Sequence, residues 1–352
     1  MEPFVPIEQI ERVCIVMLST VGGAVWTLPL VNAIKRARPE AHIAWVIQPA
    51  PAALIEGHEA IDEVIPFSRS SGLRGFVDVR RRLRTQRFDV ALAPQSYLKA
   101  GLITSFVKAT AKIGVSRAKS RDANWLFTTH QLPTTPPQHA QDDVLDFARA
   151  IGVDPEPLEW KIGPWDSERA WQREFFAGFD RPVAAIVVAS TDDARDWPAE
   201  RTAQLCDALW ADYGLEPVLV GGTSARELRA KSIIDSAARR APRSALGSGL
   251  RRLVGILDGA ALVVSPDTGP MHIAAALHRP VISLMGYTNP KRKAPYRRFA
   301  DLVVDAFGDA GEIYDADAPN RAGRMQRISV RDVLDRVDVW RRRYATASGP
   351  KV

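Results

Sequence analysis

The chain has 352 residues, of which 46% are hydrophobic and 25% charged, as is typical of a globular protein of one or two domains. No stretch approaches the roughly 18 apolar residues of a membrane-spanning helix, and the N-terminus carries Glu8 and Glu11 where a signal peptide is basic. Two cysteines in apolar stretches, Cys14 and Cys206, do not indicate a disulfide framework or a zinc site. We therefore expect a cytoplasmic protein.

The positive charge is unevenly distributed along the chain. The net charge is +6, yet residues 69–121 contain 13 Lys or Arg and only two acids, Asp78 and Asp89. A solvated face is the usual meaning of such a run. The alternative is a patch that attracts an anionic lipid surface, a phosphorylated glycan or a nucleic acid. No recognised nucleic-acid-binding module accompanies the run, so we expect no nucleic-acid partner.

Strands and helices are predicted to alternate from the N-terminus onward. The apolar run 12–18 is followed by small residues and by a helical pattern that ends near residue 38, which is typical of a βαβ unit. The same alternation predicts strands at 43–47, 63–66, 88–93 and 112–115, with helices at 51–57, 72–85, 99–110 and 140–151. Regular alternation favours a parallel sheet covered by helices on both faces.

A second series of the same kind follows the proline-rich segment 152–168. It predicts strands at 183–188, 216–220, 261–264 and 280–284, and helices at 199–213, 225–238, 249–257, 271–277 and 330–344. We therefore expect an α/β protein of two doubly wound, Rossmann-like domains, 1–165 and 166–328, that face each other across a cleft. The C-terminal segment 329–352 is expected to pack as a helix on the N-terminal domain.

The strongest local pattern is the segment 262–277, where a strand runs through Ser265-Pro266-Asp267-Thr268 into a helix. The free N–H groups at a helix start suit a diphosphate, Thr268 adds a hydroxyl, and Gly269 lets the backbone approach closely. Taken singly, Asp267 or Thr268 could be a simple N-cap and His272 a buried helix residue.

As a unit, this segment resembles the hallmark of glycosyltransferase family 9, the heptosyltransferases that build the inner core of lipopolysaccharide. The similarity continues through Arg279-Pro280-Val281-Ile282-Ser283-Leu284-Met285-Gly286-Tyr287-Thr288-Asn289-Pro290. The opening loop of the family resembles residues 15–22 with Leu28-Pro29. The nucleotide-binding turn of the family resembles residues 219–222 with Glu227.

The resemblance implies an inverting enzyme of the GT-B fold that uses ADP-heptose and needs neither metal nor cofactor. The implied acceptor is an anionic, lipid-linked saccharide of the Kdo–lipid A type, reached at the inner membrane surface by a peripheral protein. The residues expected to bind the donor are Thr20, Gly22, Ser190, Thr191, Arg195, Glu227, Asp267, Thr268, Gly269 and His272. Those expected to bind the acceptor are Arg80, Arg81, Arg82 and Lys99.

The sequence departs from the family pattern in the opening loop. Gly23 stands where the family has the Asp proposed as general base, and Trp26 stands where it has a His, while Arg195 replaces the donor-phosphate lysine. Glycine cannot accept a proton, so either Asp192 or Asp193 acts as base or the chain is an impaired paralogue that binds a sugar nucleotide. A transferase with a different sugar or acceptor is a third reading.

Overall fold

The computed structural model describes residues 2–345, and the chain divides into two compact units after Ile162. The strands of the first unit are β1 (Arg12–Val16), β2 (His42–Ile47), β3 (Glu63–Pro66), β4 (Phe88–Ala93), β5 (Ala109–Gly114) and β6 (His130–Gln131). Its helices are α1 (Val21–Ala37), α2 (Pro49–Ile55), α3 (Gly72–Leu83), α4 (Leu98–Phe106) and α5 (Ala140–Ala150).

The first sheet is parallel throughout, in the order β3-β2-β1-β4-β5-β6. Its central strands are continuous apolar runs because helices cover both faces; Val13, Cys14, Ile15 and Val16 of β1 are all buried. The strand order reverses between β1 and β4. In open sheets of this kind, ligands bind beyond the carboxyl ends of the strands at such a switch point.

The second unit repeats this plan. Its strands are β7 (Val183–Val187), β8 (Glu216–Val220), β9 (Arg243–Ser244), β10 (Leu262–Pro266), β11 (Val281–Met285) and β12 (Val303–Asp305). Its helices are α6 (Asp166–Ala177), α7 (Ala199–Asp212), α8 (Ala225–Ala237), α9 (Leu250–Gly259), α10 (Gly269–Ala276), α11 (Pro290–Lys293) and α12 (Val330–Arg343). The order β12-β11-β10-β7-β8-β9 is again parallel, with its switch point between β7 and β10. Two doubly wound α/β units are confirmed.

Several elements differ from the sequence-based expectation. The helix predicted over 99–110 ends at Phe106, and β5 begins at Ala109, three residues before the predicted strand. Helix α6 occupies part of the segment read as an interdomain connection. The strands β6, β9 and β12 carry no apolar run of the kind that marks a buried strand, because they are two or three residues long at the sheet edges.

The C-terminal helix packs differently from the expectation. Val333, Val337 and Trp340 of α12 are buried in the core of the second unit, beside residues of α7 and β10, and the Trp340 indole donates to the Ala261 carbonyl at 3.0 Å. The apolar face of α12 therefore completes the core of its own unit, and the expectation that it packs on the N-terminal domain is wrong. Residues 346–352 of the predicted segment lie outside the described residues.

Candidate functional site

The switch point of the second sheet gathers most of the residues expected to bind a nucleotide sugar. Strands β7 and β10 are neighbours, so the loops that leave their carboxyl ends start side by side. The loop after β7 carries Ser190, Thr191 and Arg195, and the turn after β10 carries Asp267 and Thr268. The fold therefore brings together two segments that lie more than seventy residues apart in the sequence.

The start of α10 is an open helix N-terminus. Thr268 occupies the N-cap position with extended backbone, but its side chain makes no capping hydrogen bond and lies 3.0 Å from the Ser265 hydroxyl. Pro270, in the first turn, has no N–H to satisfy. The remaining N–H groups of this turn and the positive end of the helix dipole are suited to an anion.

Asp267 is not an N-cap, because its side chain turns to His272 in the first turn of α10. The two residues are almost fully buried, and the His272 Nε2 atom lies 3.3 Å from the Asp267 Oδ1 atom. Burial alone would raise the pKa of Asp267. The His272 hydrogen bond and the charges of Lys293, His272 and Arg195 outweigh burial and lower this pKa to about 2. Asp267 is therefore an anion at neutral pH.

Two cationic side chains converge on the other oxygen of this carboxylate. Arg195 Nη1 and Lys293 Nζ each lie 3.9 Å from Asp267 Oδ2, and Arg195 Nη1 also donates to the Asp267 carbonyl at 3.3 Å. At 3.9 Å neither cation makes a direct hydrogen bond to Oδ2, which is buried without a hydrogen-bond partner. Apart from the Arg195 Nη1 bond to the carbonyl, these contacts leave both cations able to donate to an incoming anion.

Lys293 was not among the residues expected from the sequence. It is the last residue of α11, a single turn that begins at Pro290 and is capped by the Asn289 side chain. The segment 286–290 was recognised as part of the family pattern, but a lysine 26 residues after Asp267 gives no linear sign that it returns to that carboxylate. The pairing of β10 with β11 is what places the two segments side by side.

The loop after β7 is held by its own hydrogen bonds. The Ser190 N–H donates to Asp196 Oδ1 at 2.6 Å, and the Ser190 hydroxyl bonds to the backbone of Asp192. Asp192 caps the turn Asp193–Arg195 and lies 3.8 Å from Arg195 Nε. Ser190 thus shapes the loop, while Thr191 is exposed.

Glu227 follows the neighbouring strand β8, in the first turn of α8. Its Oε2 accepts from the Ser224 N–H at 2.9 Å and from the Ser224 hydroxyl at 2.6 Å, while its Oε1 accepts from Gly222. The residue therefore completes a capping box. A Cβ on Gly221 or Gly222 would stand within 3 Å of the carboxylate, so these glycines leave the space that it fills. Its expected ribose contact stays a prediction.

The opening loop of the first unit begins at the carboxyl end of β1 and ends at Thr20, and Gly22 follows in the first turn of α1. Polar side chains from three neighbouring loops fix its Leu18: Gln95 accepts from the Leu18 N–H at 2.8 Å, while Gln48 and Arg69 donate to the Leu18 carbonyl at 2.6 and 3.2 Å. Thr20 is the N-cap residue of α1, again without a side-chain capping bond. The expected roles of Thr20 and Gly22 in donor binding stay predictions.

Gly23 is buried in the first turn of α1, with Ser19 directly against it. A Cβ added to Gly23 would lie 1.9 Å from Oγ and 2.4 Å from Cβ of Ser19. Because the Ser19 Cβ is fixed to the backbone, any side chain at residue 23 requires the loop itself to move. The segments directly after β1, β2, β3 and β4, namely 17–20, 48, 67–71 and 94–97, contain no Asp or Glu.

The residues expected to bind the acceptor are not brought together. Helix α3 runs from the carboxyl edge of the sheet back to the start of β4, so Arg80, Arg81 and Arg82 lie at the amino edge. Arg80 stacks over Phe106 at the far end of α4, at 5.8 Å. Lys99 lies in the first turn of α4, at the carboxyl edge. Only Lys99 is at the edge where ligands bind in this fold.

The comparisons with known proteins agree with this arrangement. A family model described as glycosyltransferase family 9 (heptosyltransferase) matches residues 76–312, more than half of the chain. The chain belongs to glycosyltransferase family 9.

A relative in this family is lipopolysaccharide core heptosyltransferase OpsX of Haemophilus influenzae, which is 26% identical over 315 residues, or 89% of this chain and 88% of that protein. A family 9 glycosyl transferase of Veillonella parvula has a similar fold, with a TM-score of 0.77 at 22% identity over 94% of this chain and 96% of that one. E. coli heptosyltransferase WaaC with ADP gives 0.73 at 23% identity, covering 95% and 99%. The expected GT-B fold class is confirmed.

Family 9 membership makes the chain a glycosyltransferase by family and confirms the resemblance seen in residues 262–290. No helix within residues 2–345 is both long and apolar enough to cross a membrane. In the same part of the chain, no three His, Cys, Asp or Glu side chains come together as a group able to hold a metal ion.

Proposed function

We propose that this family 9 protein transfers heptose from ADP-heptose to an anionic, lipid-linked saccharide of the Kdo–lipid A type. The transfer would take place at the cytoplasmic face of the inner membrane, in the synthesis of the lipopolysaccharide core. Its relatives include lipopolysaccharide heptosyltransferases, which supports this substrate class. The 13 basic residues against two acids between residues 69 and 121 support it as well.

The observation that carries the proposal is the convergence of Arg195 and Lys293 on the uncapped start of α10. The two cations lie 3.9 Å from Asp267 Oδ2, too far for a direct hydrogen bond to it, and adjoin the free helix N–H groups. A diphosphate bound there would receive charge-assisted hydrogen bonds. The same groups would stabilise the negative charge that develops on departing ADP, and such preorganised donors are typically the largest single contribution to catalysis.

In the proposed reaction, an acceptor hydroxyl oxygen attacks the anomeric carbon of the heptose from the face opposite to the diphosphate. The bond between that carbon and the β-phosphate oxygen breaks, and the electron pair leaves with ADP. A base accepts the hydroxyl proton. Asp192 and Asp193 remain the candidate bases, and Asp192 lies 3.8 Å from the Arg195 guanidinium.

A second candidate function is sugar-nucleotide binding with little or no transfer. The observation that favours it is Gly23, which has neither a carboxylate nor room for one beside Ser19. General-base assistance contributes typically about 10²–10⁴-fold to a rate. Its loss would leave donor binding intact because the cations and the start of α10 belong to the second unit.

A transfer assay distinguishes the two candidates. Purified Kdo–lipid A, ADP-heptose and the protein are incubated, and the product is followed by mass spectrometry. A heptose adduct that forms with time supports the transferase. Tight ADP binding without an adduct supports the binding protein, and absence of binding to any nucleotide contradicts both.

A further inference from the structure

We infer that the solvent-facing side of α3, together with the adjoining start of α4 and the turn Asn124–Phe127, is a docking surface for an anionic lipid bilayer. The inference rests on the proposed function, because a lipid-linked acceptor must be reached at a membrane. It goes further by assigning the surface to particular residues of the first unit.

Exposed apolar side chains are concentrated on these three elements. Among the described residues, seven large apolar side chains are exposed, and five of them lie here: Leu73 (84%), Val77 (63%), Tyr97 (49%), Leu98 (42%) and Leu126 (62%). Helix α3 packs against α4, and α4 packs against the turn Asn124–Phe127, so the surface is continuous. Leu73 and Val77 are four residues apart and project from the same side of α3.

Arginines surround these apolar side chains. Arg74 and Arg81 share the exposed side of α3 with Leu73 and Val77, and Arg80, Arg82 and Arg84 extend the positive charge toward the amino edge. Within the described residues, none of the arginines of α3 forms an ion pair, and Asp78 is the single acid of the helix. Cations that are not neutralised internally are available to lipid phosphates.

Exposed apolar side chains together with arginines indicate that the partner of this surface is an anionic membrane. A helix with arginines on its exposed side and a few protruding apolar side chains is typical of proteins that lie in the interface of an anionic membrane. The opposite side of α3 is already used, because Val79 and Leu83 are buried in the core of the first unit. Leu73 and Val77, which are 84% and 63% exposed on the other side, are therefore not part of that core. The predicted acceptor triplet Arg80, Arg81 and Arg82 acquires a role in binding the lipid surface.

Vesicle co-sedimentation tests this surface with the full chain. Vesicles of equal parts phosphatidylglycerol and phosphatidylcholine are compared with vesicles of phosphatidylcholine alone. We expect binding to the anionic vesicles that weakens as salt is added, and a loss of about tenfold in affinity for the double variant Leu73→Ser/Val77→Ser. The matched control is Leu228→Ser/Ile313→Ser, at the two large exposed apolar side chains described in the second unit, which should bind as the wild type does.

Three outcomes would overturn the inference: no binding to anionic vesicles, equal binding by the Leu73→Ser/Val77→Ser variant, or an equal loss in the control. A lipid-free dimer that this variant dissociates would instead assign the surface to a second copy of the chain, and analytical ultracentrifugation detects it. Vesicle binding is measured without nucleotide. A failure of the proposed function is therefore detected separately, because the wild-type protein would then bind vesicles but not ADP.

Discussion

Lys293 and Arg195 show how a binding site can depend on charges that come from distant parts of the sequence. Each lies 3.9 Å from Asp267 Oδ2. At that distance the carboxylate attracts the cation but does not form a direct hydrogen bond with it. Arg195 could be found from the sequence because it falls within a recognised loop. Lys293 could not, because its position depends on the pairing of β10 with β11.

Replacing Lys293 by Ala should weaken ADP binding by about tenfold, since a charge-assisted hydrogen bond contributes roughly 1.5–3 kcal/mol. The matched control is Lys291→Ala, in the same turn of helix, because the Lys291 ammonium donates to the Tyr314 carbonyl instead. Isothermal titration calorimetry measures both affinities. Equal losses in the two variants would mean that Lys293 contributes only general positive charge.

Asp267 should make the stability of the protein depend on acid pH. Its pKa is lowered to about 2 in the folded chain and is about 3.9 in an unfolded one, so its ionised form stabilises the fold. This contribution, of order 2 kcal/mol, is fully present above about pH 4 and is lost as the pH falls through about 2. Urea unfolding of Asp267→Asn should show the deficit at pH 6, shrinking as the pH falls toward 3. A deficit of constant size would contradict a stabilising ionised form of Asp267.

Substitutions at Gly23 test whether the missing carboxylate limits the rate of transfer. Gly23→Asp alone should not speed transfer and should destabilise the loop, because its Cβ would stand 2.4 Å from the Ser19 Cβ. The double variant Ser19→Gly/Gly23→Asp removes that clash and should raise the transfer rate, by up to about 10²-fold if the new carboxylate acts as a base. Ser19→Gly alone is the control. A double variant no faster than this control would show that another group accepts the proton.

At the scale of elements, the apolar runs predicted the central strands of both sheets, because a strand covered on both faces must be apolar throughout. Edge strands lack this requirement: both residues of β9, Arg243 and Ser244, are exposed. Helix α6 went unpredicted because the proline-rich stretch around it reads as a loop. Its only buried residue is Gln172, and at its start the Glu168 carboxylate accepts from the Trp165 N–H at 2.8 Å.

The C-terminal helix α12 illustrates a different limit. Its amphipathic pattern predicted a helix but could not predict its partner, since an apolar side fits any complementary core. Trp340→Ala should lower the free energy of unfolding of the second unit by about 3–5 kcal/mol, because it leaves a cavity and removes the bond to Ala261. Chemical denaturation measures this loss. Trp210→Ala, at a tryptophan stacked between Arg181 and Arg240 on the surface, should cost less, and an equal loss would argue against a core position for α12.

At the scale of the whole molecule, two units with the same strand order have acquired different chemistry. The switch point of the second unit carries the cations and the open helix start of α10. The first unit has no carboxylate directly after its first four strands, and all four arginines of α3 are exposed to solvent. Composition showed the excess of basic residues but not where they lie on the folded unit. Only the fold shows which of them are at the carboxyl edge of the sheet and which are on the exposed side of α3.

The measurement that tests the central claim most directly is calorimetric titration of the wild-type protein with ADP, and with UDP for comparison. The proposal predicts one ADP site per chain, bound more tightly than UDP and weakened by Arg195→Ala. Because the cations and the start of α10 are preformed, no metal ion should need to be added. A titration with no heat of binding for ADP, at any concentration up to millimolar, would contradict a nucleotide-sugar site at the start of α10.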